Sequence, residues 1–332
     1  MTRSLSAIVL VALVAGGVRI RGQQQAGGQM PTFRASIDLV SVAAVVRDRR
    51  GQIVRNLTRD DFQVYDTGVR RPILEFSSEE AGPVSIALLV DVSGSMQAAK
   101  NLAAARRVVD HLLAWVETGK DEIGLYSFDR ELYENQAFTT DPVAVRTAFD
   151  DLEAFGMTSL YDAIALTARQ LLNRPSKRRA VVILTDGEDN ASRLSAERVS
   201  SAVVAADMPV YVIAVVSALD RNDGPAGLKG RAAFEPTGPL SNLSYWTGGT
   251  MFTVTTDAEA SVAARTLLAE LRHQYLMAIE AANTPGWRPI DVKTKRRELN
   301  VRARTGYYAA VPRRAQDGQD PQVSWLAWRG SR

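Results

Sequence analysis

The run Val84-Ser85-Ile86-Ala87-Leu88-Leu89-Val90 is almost continuously apolar and passes directly into Asp91-Val92-Ser93-Gly94-Ser95. A strand that is apolar on both faces must be covered on both, as in a parallel sheet between helices. The pattern recurs. Ala180 to Leu184 is a second such run ending at Thr185-Asp186-Gly187, and Val210 to Val216 is a third. Helical periodicity lies between them: a stripe at Leu102, Val109, Leu112 and Val116, then helices expected over Ser159–Leu172, Ser195–Ala206 and Ala258–Tyr275, with a strand at Ile123–Phe128. Alternating strands and helices predict an α/β fold with a doubly wound, mostly parallel sheet over residues 83–275.

The flanks have a different period. Residues 33–80 carry a β-branched run from Ser36 to Val46, a capping box at Thr58-Arg59-Asp60-Asp61, and short strands at Gln63–Tyr65 and Ile73–Phe76 around Asp66-Thr67-Gly68. Residues 276–310 return to alternation, in Ile290-Asp291-Val292-Lys293 and Leu299–Arg304. The two flanks are expected to pair, giving one small all-β unit made from both chain ends. Residues 311–332 read as a polar tail with Trp325 and Trp328. Residues 1–28 read as a signal peptide and linker, from Arg3, the apolar run Leu5–Val14 and Ala15-Gly16-Gly17. Export to the periplasm or outside the cell follows as the expectation, with an uncleaved anchor as the alternative. No stable membrane span is expected, because the apolar run is short.

Composition narrows the chemistry. With no cysteine in 332 residues, disulfides, thiolate metal sites and a Cys nucleophile are excluded. Two histidines, His111 and His273, supply a triad or a multi-His zinc site poorly. A net charge of +3 gives no reason to expect nucleic acid. Metal chemistry here would have to be oxygen chemistry.

Three polar clusters fall at or beside the carboxyl edge of the predicted sheet, where ligands of open parallel sheets bind. They are Asp91, Ser93 and Ser95; Thr158 in Gly156-Met157-Thr158-Ser159-Leu160-Tyr161-Asp162; and Asp186 in Leu184-Thr185-Asp186-Gly187-Glu188-Asp189-Asn190. Separately, a D-x-S-x-S is often a helix cap and a T-D-G a turn. Jointly they offer hydroxyls and carboxylates suited to a hard divalent cation, Mg2+ or Mn2+. Asp162 is read either as a support for this group or as a solvated acid of the first helical turn.

These residues resemble the metal-ion-dependent adhesion site of von Willebrand factor A domains, and the likeness runs from about Val84 to Tyr275. The flanking segments Leu57–Gly68 and Val301–Tyr308 resemble the VWFA-related domain family best known from Acidobacteria. The resemblance implies that Ser93, Ser95 and Thr158 touch the ion directly and that Asp91 and Asp186 act largely through water. It implies a non-enzymatic module that binds an Asp or Glu of a partner protein. The Gly- and Pro-rich loop from Asp220 to Pro239, with Arg221, Lys229 and Arg231, is read as either a partner-selecting element or a disordered insertion. Two other functions stay open: a metal-assisted phosphoryl hydrolase with Asp91 as nucleophile, disfavoured by Ser at position 93, and a scaffold whose metal site is vestigial.

Overall fold

The computed structural model describes residues 39–78, 82–98, 101–187, 189–205, 207–215 and 238–309. The expected signal peptide, the tail beyond 310 and the residues Glu188, Arg221, Lys229 and Arg231 lie outside them. The described residues begin with β1 (Leu39–Arg47), a 3-10 turn (Arg59–Asp61), β2 (Phe62–Asp66), β3 (Val69–Arg71) and β4 (Glu75–Ser77). Next come β5 (Val84–Asp91), α1 (Gly94–Ala98), α2 (Asn101–Trp115), β6 (Glu122–Phe128), β7 (Leu132–Thr139), α3 (Pro142–Asp150) and α4 (Leu160–Leu172). Then follow β8 (Arg178–Thr185), α5 (Ala196–Ala205), β9 (Val210–Val215), α6 (Pro239–Thr247), β10 (Met251–Val254) and α7 (Asp257–Arg272). The chain closes with β11 (Tyr275–Glu280), β12 (Gly286–Thr294), β13 (Asn300–Ala303) and β14 (Gly306–Ala309).

The central sheet has the order β10-β9-β8-β5-β6-β7. Every neighbouring pair is parallel except β6 with β7. Winding reverses between β5 and β8, so the two strands that end in Asp91 and Thr185-Asp186 lie side by side at the switch point. Alternation along β5 explains the unbroken apolar run. Ile86, Leu88 and Val90 pack with α2 and α7 residues such as Leu112 and Leu267, while Ala87 and Leu89 face α4, with Ile164 and Leu171. Truncating a fully buried side chain such as Leu88 to Ala should cost about 2–5 kcal/mol.

The chain ends do pair. Strands β13-β1-β11-β4 form one antiparallel sheet and β14-β12-β2-β3 another. Leu39 lies opposite Glu280 and Asp66 opposite Ile290. The sheets share a core of Val42, Val46, Phe62, Val64, Tyr275, Ile279, Ile290 and Val292, in which the Phe62 and Tyr275 rings are 5.0 Å apart. Thr58 donates its backbone N–H and hydroxyl to Asp61 Oδ2, at 2.7 and 2.8 Å, which fixes the expected capping turn. Thr67 and Gly68, at φ 51° and 78°, make the tight β2–β3 turn of the mirror-image kind that suits strand twist.

This β unit is joined to the amino end of the central sheet. Glu270 of α7 is fully buried and receives Arg47 of β1 at 2.6 Å and both Nη groups of Arg302 of β13. Arg302 Nε also donates to the Gly248 carbonyl at 3.1 Å. Buried Arg304 donates to the Val204 carbonyl and pairs with Asp207, both at 3.1 Å. Burial alone would raise the Glu270 carboxyl, but the Arg302 and Arg47 guanidiniums outweigh it and hold the group below its usual range.

Several elements differ from the sequence reading. The helix expected to run to Tyr275 ends at Arg272, because Tyr275 already starts β11, which pairs with both β1 and β4. The helix expected after Ser95 is described over Gly94–Ala98 and Asn101–Trp115. Residues 73–76 do not complete the hairpin of β2: that partner is β3, and β4 crosses to the other sheet. Strands β7, β10, β11 and β14 and helices α3 and α6 were not expected. His111 faces Asp257 at 3.1 Å.

Candidate metal centre

Strand β5 delivers Asp91 to the carboxyl edge with its side chain fully buried. Its two oxygens are held separately: Oδ1 accepts the Ser93 N–H at 2.9 Å and Oδ2 accepts the Thr185 hydroxyl at 2.6 Å. The Ser93 hydroxyl, buried, and the Ser95 hydroxyl, half-buried, are 3.0 Å apart. Among the described residues no Lys or Arg pairs with Asp91. Burial and the neighbouring Asp186 carboxylate together push the Asp91 carboxyl up to about 7, and Asp186 itself is half-buried at the end of β8. A buried carboxylate that faces a second acid is an arrangement that a cation would relieve.

Thr158 joins the group through its backbone. Its carbonyl accepts the Asn190 and Ala191 N–H groups at 3.0 and 2.9 Å, and its own N–H donates to Asn190 Oδ1 at 2.9 Å. The preceding loop is fastened to the D-x-S-x-S turn: Phe155 N–H donates to the Val92 carbonyl at 2.6 Å and Gly94 N–H to the Gly156 carbonyl at 3.1 Å. Gly156 is required here. Its φ is +100°, and a Cβ would sit 2.8 Å from Asp129 Oδ2.

The N-terminus of α4 shows how the loops are aligned. Helix N–H groups in the first turn have no partner within the helix. The Ser159 side chain does not cap them. Instead Ser159 N–H donates to the Asp129 carbonyl at 2.7 Å, Leu160 N–H to Asp189 Oδ1 at 2.9 Å, and Tyr161 N–H to Ser192 Oγ at 3.0 Å. Asp162 returns the bond, accepting the Arg193 and Leu194 N–H groups at 3.0 and 2.9 Å. Asp162 thereby pins the loop after β8. Thr185, Asp189, Asn190 and Ser192 were not singled out as supports from sequence. Their types were legible there, but their partners lie about 30 or more residues away along the chain.

The sequence-selected residues therefore divide. Asp91, Ser93 and Ser95 are linked by direct contact or through one backbone amide, Asp186 acts on Asp91 through its charge, and Thr158 is held beside them by its loop. Residues 86–188, from β5 to just past the end of β8, match the von Willebrand factor type A domain family. The chain carries a von Willebrand factor type A domain.

Solved structures similar to this chain include a von Willebrand factor type A protein from Catenulispora acidiphila, 12% identical over 84% of this chain and 75% of that one, TM-score 0.46. An aerotolerance-related membrane protein from Bacteroides fragilis is 19% identical over 57% of this chain and 98% of that one, TM-score 0.45. The PilB minor pilin of Streptococcus sanguinis is 13% identical over 58% and 62%, TM-score 0.45. Neither activity nor partner transfers from likenesses of this order. A comparison with curated proteins found no match. Among the described residues, no helix is long and apolar enough to cross a membrane, and no three His, Asp or Glu side chains cluster as a metal site.

Proposed function

We propose that the von Willebrand factor A domain of this chain is a metal-dependent protein-binding module, adhesive rather than catalytic, and that the chain is exported to the periplasm or outside the cell. Ser93, Ser95 and Thr158 would hold Mg2+ or Mn2+, with Asp91 and Asp186 behind them. The observation that carries the reading is the pair of serine hydroxyls 3.0 Å apart beside a fully buried Asp91 that no basic residue among the described ones neutralises. Adjacent oxygen ligands of an octahedral ion at 2.0–2.1 Å stand about 2.9 Å apart, so the spacing fits. Hydroxyl ligands are neutral, and a cation so held would supply an electron-poor open position for a partner's carboxylate. The hydrolase alternative is weakened by Asp91 itself: both its oxygens are engaged, by the Ser93 N–H and the Thr185 hydroxyl, so neither is an open nucleophile.

Calorimetric titration of Mg2+ and Mn2+ into the chelator-treated chain tests this. Wild type should bind one ion, and Asp91→Ala should lose binding while keeping its circular dichroism spectrum. No binding at millimolar metal would overturn the proposal.

A further inference from the structure

Beside the candidate metal centre stands an apolar projection that the fold itself does not use. Phe155 is 81% exposed and Met157 43% exposed, and both lie within three residues of Thr158. Their loop is not slack. The Phe155 N–H and the Gly156 carbonyl are hydrogen-bonded to Val92 and Gly94, the residues interleaved with Asp91, Ser93 and Ser95. The backbone bonds that fix the metal-binding turn thus also fix where Phe155 and Met157 stand. Tyr133, 44% exposed, extends the projection: it lies opposite Ser127 on the strand beside β6, near Asp129. Large aromatic and Met side chains held rigidly in the open are the residue types that dominate protein interfaces.

Two acids stand on the same rim. The Asp129 carboxylate faces Gly156, and Asp189 sits at the start of α4. A ligand bearing a run of acids would meet repulsion there, whereas one acid reaching the ion would not.

We infer that the partner presents a single Asp or Glu flanked closely by apolar side chains, and that Phe155 and Met157 are the residues that select those flanks. This rests on the metal-dependent reading above and adds to it the chemistry of the epitope. Burial of the partner's apolar flank against Phe155 supplies area, while the ion supplies direction.

The test is selection from a displayed library of short peptides with a central Asp or Glu and random flanks. The library is panned on the full chain in Mg2+ and eluted with chelator. Wild type should enrich Leu, Ile, Phe or Met within two or three positions of the acid. The Phe155→Ser, Met157→Ser double variant should lose that preference and bind the best selected peptide about tenfold more weakly. Its Mg2+ titration should be unchanged, and Phe155→Leu should retain the preference. Chelator-eluted peptides that keep the acid but have random or acidic flanks would overturn this inference alone. So would a double variant that selects like wild type. Absence of any chelator-eluted acidic peptide from wild type would overturn the metal-dependent reading and this inference with it.

Discussion

Two fully buried carboxylates sit at opposite edges of the same sheet and are treated in opposite ways. Glu270, at the amino edge, meets two guanidiniums and is held below the usual carboxylate range. Asp91, at the carboxyl edge, meets a backbone amide, a threonine hydroxyl and a second acid, and is pushed up to about 7. Burying an ion is costly unless an opposite charge and hydrogen bonds compensate. At the amino edge the chain provides that compensation itself and gains a joint between two units. At the carboxyl edge no Lys or Arg among the described residues compensates Asp91, and on the function proposed above a bound ion would.

The contrast can be broken most forcefully at Glu270. Glu270→Ala leaves Arg302 and Arg47 without their shared acid, and urea unfolding should show a loss of about 3–5 kcal/mol. The matching change at the other edge should behave differently. Asp91→Asn removes one of two repelling acids, so without metal its unfolding midpoint should be no lower than wild type. With Mg2+ at a hundred times its dissociation constant, wild type should gain about 2.7 kcal/mol and the variant nothing, read as a shift in thermal midpoint. Were Asp91→Asn to destabilise the metal-free chain as much as Glu270→Ala, the two acids would be equivalent and the comparison void.

Finer changes should sharpen it. Thr185→Val deletes the hydroxyl that orients Asp91 Oδ2, and Mg2+ affinity should fall about 10- to 100-fold, as for other residues that orient metal ligands. Gly156→Ala forces a side chain into positive φ against Asp129 and should cost about 1–2 kcal/mol, with Mg2+ affinity reduced as the Thr158 loop shifts. The smallest effect concerns pH. The depressed Glu270 pKa contributes stability fully present above its unfolded value of about 4.3 and lost as pH falls through the lower folded value. Denaturation curves at pH 3 to 6 should show that acid-side loss, and Glu270→Gln should remove this part of it.

The two edges were not equally readable from sequence. The carboxyl edge was legible because a run such as Val84–Val90 fits only a covered parallel strand, and whatever follows it must lie at the sheet's carboxyl end. Hence Asp91 and Asp186 could be placed together from opposite halves of the domain. The amino edge was not. Glu270, Arg302 and Arg47 look like ordinary charges on a helix and two half-exposed strands, and only their meeting in space makes them a joint. Edge strand β7 escaped notice because Leu132–Thr139 carries polar residues on both faces and shows no alternation. Helix α3 did carry a readable start, Asp141 before Pro142, and Asp141 indeed caps it at 2.9 Å. Only Tyr275 of β11 was assigned to the preceding helix, because an apolar residue there also continues the helical spacing of α7.

The pairing of Leu39 with Glu280 has a consequence for how the protein comes into being. Strand β1 cannot find its neighbour β11 until about two hundred further residues have emerged. Closing so long a loop in a floppy chain is slow, whereas a domain already folded in between brings the two stems close. Biogenesis should therefore run from the middle outward, and the leading strands are the stretch most in need of protection from aggregation while they wait.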